Sequence, residues 1–438
     1  MGVLTQLAEL LDRPLFPWKT VIIGFSVGQF FLESYISSRQ HKKLCETKIP
    51  KTLEGVVSQE DYDKAQAYGR AKSTFGFFNS IFNQVTNIST IHFDLLPKLW
   101  GFAGHLIALY APLRFSGEIS QSIVFFTAFT LATNLISLPL SYYKAFVLEE
   151  KFGFNKQTKK LFVVDFLKTQ FLTTAIGSPI LAGFLKIVQY FGLNFFYYAW
   201  LFVLFVQAFM ITVYPIAILP MFNKLTPLEP GKLREEVEAL AGKLKFPLKH
   251  LYVIDGSKRS AHSNAYFYGL PWSKHIVIYD TLIEKSDTPE VVAVLCHELG
   301  HWKEGHTTQL FGMSQFHTFW IFALFSAFVN NQSLFQSFGF YGQQPILIGF
   351  LLFSDILTPL DNFLRLGMNT ISRKFEYEAD AFAVKHGYSD DLAKSLIKLQ
   401  VQNLATMDAD WVYSCYHYTH PILPERLRAI GWKGGKVE

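Results

Sequence analysis

Residues Gly305–Ser354 read GHTTQLFGMSQFHTFWIFALFSAFVNNQSLFQSFGFYGQQPILIGFLLFS and contain no Asp, Glu, Lys or Arg. A helix needs about 20 mostly apolar residues to span a bilayer. This stretch holds one such span, a polar loop and half of the next. The rest of the chain agrees: of 438 residues, 50% are apolar, 17% are charged and 44 are Phe. A soluble domain carries roughly 25% charge, so the deficit points to a polytopic, predominantly α membrane protein.

Seven spans are predicted, at Val21–Ile36, Leu95–Leu113, Ser122–Tyr143, Phe171–Tyr190, Phe195–Pro220, Leu310–Val329 and Ile346–Leu366. The second is the most polar, with Asp94, Lys98 and His105 in or beside it. The N-terminal region lacks a small-residue cleavage site, so the first span is expected to be retained. Basic residues collect in the odd loops: Arg39, Lys42, Lys43, Lys48 and Lys51 after span one, and Lys151, Lys156, Lys159 and Lys160 after span three. By the positive-inside rule these loops and the C-terminus face the cytosol. They also account for the net charge of +5, so no nucleic-acid partner is expected. Cys45, Cys296 and Cys415 all fall on that side, an odd number in a reducing compartment, and no disulfide is expected. The sequon Asn331-Gln332-Ser333 lies on the other side, close to the membrane.

Immediately before the uncharged stretch stands His297-Glu298-Leu299-Gly300-His301. On a helix the two histidines share a face. Together they can hold one Zn²⁺, with Glu298 as general base toward its water. Thr288-Pro289-Glu290 reads as the start of that helix, with Thr288 as its cap, Pro289 at the first helical position and an acidic first turn. Upstream, Pro230–Lys245 reads as a helix and Leu251–Asp255 and His275–Asp280 as short strands. Cys296 points about 100° from His297 and reads as packing.

The hairpin of spans six and seven returns the chain to the same membrane face near Met368, where Ser372-Arg373-Lys374-Phe375-Glu376-Tyr377-Glu378-Ala379-Asp380 follows. Glu376 and Asp380 share a helix face. Glu376 is the expected third zinc ligand, leaving a fourth position for water, and Asp380 is expected to hydrogen-bond a ligating imidazole. The competing reading is a charged juxtamembrane helix in water. Glu378 points 160–200° away from both carboxylates and is set aside as a ligand.

These motifs, with His262-Ser263-Asn264-Ala265-Tyr266-Phe267-Tyr268-Gly269 and Tyr418-Thr419-His420-Pro421-x-x-x-Glu425-Arg426, resemble the type I CAAX prenyl endopeptidases over most of the chain. The resemblance implies a barrel of seven transmembrane helices around a chamber, with a zincin-like cytosolic catalytic domain containing a small β-sheet. Four regions follow: 1–222 with spans one to five, a 223–308 insert, 309–367 with spans six and seven, and a cytosolic 368–438. The implied activity is release of the terminal tripeptide from farnesylated or otherwise isoprenylated proteins, with a second upstream cleavage in some precursors. The implied compartment is the endoplasmic reticulum membrane, with the inner nuclear membrane also allowed. The chain closes on Lys436-Val437-Glu438 rather than a lysine-rich retrieval tail, so the compartment rests on the resemblance.

With that resemblance, His420 is the candidate oxyanion donor beside the metal, Arg426 supports it, holds carboxylate charge or binds substrate, and Asn264 binds substrate backbone along an insert strand. A turn-stabilising role competes for Asn264. Tyr266, Phe267 and Tyr268 pack either on a prenyl chain or in the core. His306 and His417 receive no role. Two other classes stay open: a site-2-type intramembrane protease, for which Asp361 would be a ligand, and a non-enzymatic seven-span receptor or transporter.

Overall fold

The computed structural model describes residues 3–433; the closing Lys436-Val437-Glu438 lie outside them. The fold is mostly helical, with one small sheet. Among the described residues, four helical stretches are long and apolar enough to cross a membrane: Trp18–Leu44, Glu118–Glu149, Lys159–Phe222 and Ile346–Lys385. The third folds back on itself. Helix Lys159–Phe191 meets a tight turn at Gly192–Asn194, and Phe195–Val213 returns along it, with Phe191 and Tyr198 stacked 3.6 Å apart across the turn.

Two helices differ from expectation. Gln59–His92 is a 34-residue helix where the sequence shows no apolar span; at 1.5 Å per residue it runs about 51 Å. It lies along Trp18–Leu44, and two residues beyond its end Asp94 pairs with Lys19 at 2.8 Å at the other helix's start. Its middle carries Tyr68, Lys72, Ser73 and Ser80 into a cavity. A helix with one face on a polar cavity is not uniformly apolar, which hides it from a hydropathy scan.

Leu95–Tyr110, by contrast, covers the expected second span but does not traverse the bundle. Its start lies beside the Lys19–Asp94 pair, Trp100 reaches Gln343 at 3.1 Å, and the next helix opens at Glu118, which accepts from Ile346 N at 2.8 Å. Both ends of Leu95–Tyr110 therefore stay at one end of the bundle. There Trp18, Phe325, Phe335 and Phe353 form a fully or nearly buried aromatic core.

At the opposite end sits the insert. Its sheet comprises β1 (Leu225–Pro227), β2 (Leu248–Ile254), β3 (Ala265–Leu270) and β4 (Ser273–Tyr279), in spatial order β1-β2-β4-β3. The β2–β4 pair is parallel and the other two are antiparallel. β2 and β4 match the two expected strands; β3 is an additional one, joined to β4 by a tight turn at Pro271 and Trp272 with Gly269 at φ +115°. A side chain at Gly269 would run into the Ser273 carbonyl, so glycine is required. β3 is an edge strand and packs against helix Thr288–Lys303, which carries the His-Glu-x-x-His motif. Alternation splits its aromatics: Phe267 packs into the insert core with Phe246, while Tyr266 and Tyr268 join Leu219, Ile254 and Val277 on the other face.

Candidate active site

The motif helix begins at a capping box in which Glu290 accepts from Asp287 N at 2.9 Å. Asp287 is the cap, one residue before the Thr288 expected from the sequence; such a cap is worth ~1 kcal/mol. Val291, Val292, Leu295, Cys296 and Leu299 anchor the helix against Ile276 and Ile278 of the sheet and against Phe382 and Ala383 of the long helix. Cys296 is fully buried, and that burial pushes its thiol up to about 12, consistent with packing alone.

Ile346–Lys385 is one continuous 40-residue helix, about 60 Å long. It carries the expected seventh span at one end and Glu376 and Asp380 near the other. Gly300 sets how closely it approaches the motif helix. A Cβ at Gly300 would lie 3.2 Å from Phe382 Cβ and 3.3 Å from Ala379 Cα, so only glycine leaves room for the present spacing.

The approach brings His297, His301 and Glu376 together, with one donor atom from each within 4.8 Å of the others. His297 Nε2 and His301 Nε2 are 3.2 Å apart, His301 Nε2 lies 3.2 Å from Glu376 Oε1 and His297 Nε2 3.5 Å from Glu376 Oε2. Ligands ~2.1 Å from a tetrahedral ion are separated by ~3.4 Å, so the triangle has the dimensions of one face of a zinc site. Glu376 Oε2 is buried without a hydrogen-bond partner, as a ligand oxygen would be. The donor set of two imidazoles and a carboxylate suits zinc as well.

The electrostatics favour positive charge here. Burial pulls His297 down, but the carboxylates of Asp380, bonded to its Nδ1, and of nearby Glu376 outweigh it and raise the ring to about 9. Burial likewise pushes Glu376 up, and His297 and His301 outweigh it, holding the carboxyl far below its ordinary range. Glu298 behaves differently. Burial lifts its carboxyl above the usual value against the pull of the two histidines, which makes it a better proton acceptor.

Asp380 is 1% exposed and accepts from His297 Nδ1 at 2.8 Å, the contact expected of it. This leaves His297 Nε2 free to ligate and fixes the ring. Arg426 donates to both oxygens of Asp380, at 2.6 and 2.8 Å. Of the roles open to Arg426, these contacts match the holding of carboxylate charge: the guanidinium is nearly buried, with Nη1 3.6 Å from Glu376. An arginine fork matches a carboxylate better than any other partner. His420 reaches Glu376 Oε1 at 3.3 Å while its side chain stays 65% exposed. It also lines a cavity of about 630 Å³ between Trp18–Leu44, Gln59–His92 and the C-terminal segment.

Asn264 is exposed at the head of β3. Its Oδ1 accepts from Ala265 N at 2.9 Å, the local contact of the turn reading, while its amide nitrogen remains available at the sheet edge. Asp361 pairs with His317 at 3.3 Å and lies fifteen residues, ~22 Å along the helix, from Glu376. It takes no part in the site, and the motif helix is packed in the insert rather than within a span, so neither feature of a site-2-type protease is present. His306, given no role from sequence, hydrogen-bonds His301.

A helix-borne pair of histidines with an adjacent glutamate, completed by a glutamate from a second helix, defines a metallopeptidase. Comparison with known proteins agrees. The model for the CAAX prenyl protease N-terminal region, with five membrane helices, matches residues 40–224, and that for peptidase family M48 matches residues 227–432. CAAX prenyl protease 1 of Saccharomyces cerevisiae is 46% identical, over 98% of this chain and 99% of its own. The human CAAX prenyl protease 1 homolog is 39% identical over 98% and 99%. The crystal structure of S. mikatae Ste24p superposes with a TM-score of 0.90 at 46% identity, covering 96% of this chain and 100% of that one. The chain belongs to the CAAX prenyl protease 1 family of M48 metallopeptidases.

Proposed function

We propose that this protein is a zinc endopeptidase that cleaves the C-terminal tripeptide from isoprenylated CAAX proteins, with a second, upstream cleavage in prenylated precursors such as a mating pheromone. The observation that carries the reading is the His297–His301–Glu376 triangle with Glu298 beside it and a large cavity opening past His420. The relatives, CAAX prenyl proteases of yeast and human, support the substrate class.

His297, His301 and Glu376 would hold a zinc ion, which would supply Lewis-acid polarisation of the scissile carbonyl and of the attacking water. Glu298 accepts the proton of the attacking water and passes it to the leaving amine. His420 hydrogen-bonds the oxygen on which negative charge develops, its exposure toward the cavity leaving it accessible to substrate. Asn264 hydrogen-bonds the peptide as it adds along the open edge of β3. Asp380 and Arg426 are positioning residues for His297.

Seven helices enclose the chamber: Trp18–Leu44, Gln59–His92, Glu118–Tyr143, Lys159–Phe191, Phe195–Val213, His306–Phe325 and Ile346–Lys385. Gln59–His92 replaces Leu95–Leu113 as the second crossing, which keeps the basic odd loops on one side. The insert and the site then face the cytosol of the endoplasmic reticulum membrane by the positive-inside rule. The prenyl group contributes affinity by apolar burial, at ~0.8 kcal/mol per CH₂. Comparing kcat/KM for a CAAX peptide with and without its farnesyl group tests this; equal values would remove prenyl recognition from the account. Metal analysis of Glu376→Ala tests the ligand set, and the variant is expected to lose most of its zinc.

A further inference from the structure

We propose that His306 and Glu378 form a second positioning chain, holding His301 in the orientation and tautomer needed at the metal as Asp380 and Arg426 hold His297. This rests on the reading of His297, His301 and Glu376 as zinc ligands.

The geometry is a relay of two hydrogen bonds. His301 Nδ1 lies 3.0 Å from His306 Nδ1, and His306 Nε2 lies 3.0 Å from Glu378 Oε2. His301 Nε2 faces Glu376 and His297, so as a ligand it carries no proton and the proton sits on Nδ1. That N–H donates to His306 Nδ1. His306 must then carry its own proton on Nε2, which it donates to the Glu378 carboxylate. Once Nε2 of His301 is the ligand atom, this assignment satisfies both contacts. An imidazole ligand whose second nitrogen is hydrogen-bonded is oriented and made more basic.

The local sequence is built to deliver this contact. On an unbroken helix His306, five residues after His301, would point about 140° away. Gly305 interrupts the helix with φ +73°, and a new helix starts at His306, which turns the ring back toward the motif. His306 is 1% exposed and its ring lies parallel to Phe375 at 4.1 Å, which restricts its rotation. Glu378 faces away from Glu376 on its own helix, and that is why it can reach His306 on a different one. Residues 376, 378 and 380 of one helix therefore serve the site together: a ligand flanked by the two carboxylate anchors of the histidines.

The test is the zinc dissociation constant of the purified, detergent-solubilised full chain, by competition with a chromogenic chelator, alongside the melting temperature of the metal-stripped protein. His306→Phe keeps the ring volume and the stacking on Phe375 but removes both nitrogens; it is expected to weaken zinc binding roughly 10–100-fold with little change in the stripped protein's melting. His306→Asn restores an acceptor near the Nδ1 position and is expected to bind more tightly than His306→Phe. Glu378→Ala is expected to weaken binding several-fold. Zinc affinity unchanged in His306→Phe, or no tighter in His306→Asn than in His306→Phe, overturns the proposal. If His306→Phe destabilises the stripped protein, Glu378→Ala decides, since that side chain is 41% exposed and its loss is tolerated by the fold; unchanged affinity there overturns the chain. A wild-type protein that binds no zinc would instead refute the metal site itself.

Discussion

Gly300→Ala separates the fold's stability from the assembly of its metal site. The methyl group would arrive 3.2 Å from Phe382 Cβ and 3.3 Å from Ala379 Cα, both closer than ordinary carbon contacts, so the long helix must retreat by a few tenths of an ångström. Ala379 offers only backbone on that side and cannot swing away. Glu376 lies one turn earlier on the same helix and moves with it. Zinc–ligand distances tolerate about ±0.2 Å, so the retreat is comparable to the site's whole tolerance. Two effects of opposite sign act on stability: replacing Gly by Ala inside a helix gains ~1 kcal/mol, and overpacking costs about 1–3 kcal/mol. The metal-stripped variant is therefore expected to melt within a few degrees of wild type, while its zinc affinity falls at least ~10-fold and turnover at limiting zinc falls with it. Melting of stripped and zinc-loaded protein, together with chelator competition, measures both. Wild-type zinc affinity in Gly300→Ala would show that the close approach at Gly300 does not register the third ligand, and the reasoning would fail.

Other perturbations have defined outcomes. Arg426→Met strips the fork from a carboxylate that is 1% exposed and is expected to cost about 3 kcal/mol; adding Asp380→Asn should recover much of that, and additive losses in the double-mutant cycle would refute the coupling. Burial pushes the Asp380 carboxyl up, but Arg426 and His297 outweigh it and hold it below its ordinary value. Its stabilising contribution is thus complete above the unfolded value of ~3.9 and is lost as pH falls through the lower folded value. Asp380→Asn should accordingly flatten the acid limb of a stability–pH curve. Thiol alkylation at pH 8 should modify exposed Cys45 quickly and leave Cys296 untouched until unfolding, because the buried thiol is held at about 12.

What the sequence made legible follows from how local each signal was. The His-Glu-x-x-His helix, its first-turn proline and the Glu376/Asp380 face depend on a 3.6-residue period and were readable directly. Their meeting depended on a hairpin that the uncharged stretch Gly305–Ser354 made visible. Gln59–His92 is not uniformly apolar, since several of its polar residues line a cavity, and Leu95–Leu113 is apolar although both ends of its helix stay at one end of the bundle. The sequon is another such case: Asn331 is 2% exposed and accepts from Ser333 Oγ and Leu334 N, each at 2.8 Å, a capping role that its motif does not announce. At the site, several roles stay open to Arg426 from sequence because nothing in its own segment names Asp380 as its partner. Glu378 points away from Glu376 and so is no ligand, yet that direction is what lets it meet His306. Periodicity describes a residue's relation to its own helix and is silent about neighbours.

The most direct measurement is cleavage of a farnesylated CAAX peptide by the purified, detergent-solubilised protein, with and without a zinc chelator, beside Glu298→Ala. Chelator-sensitive release of the terminal tripeptide is expected, and Glu298→Ala should retain stoichiometric zinc while losing about 10²–10⁴-fold in turnover. Zinc-loaded wild-type protein that leaves the peptide intact, or Glu298→Ala that turns over as fast as wild type, would contradict the account.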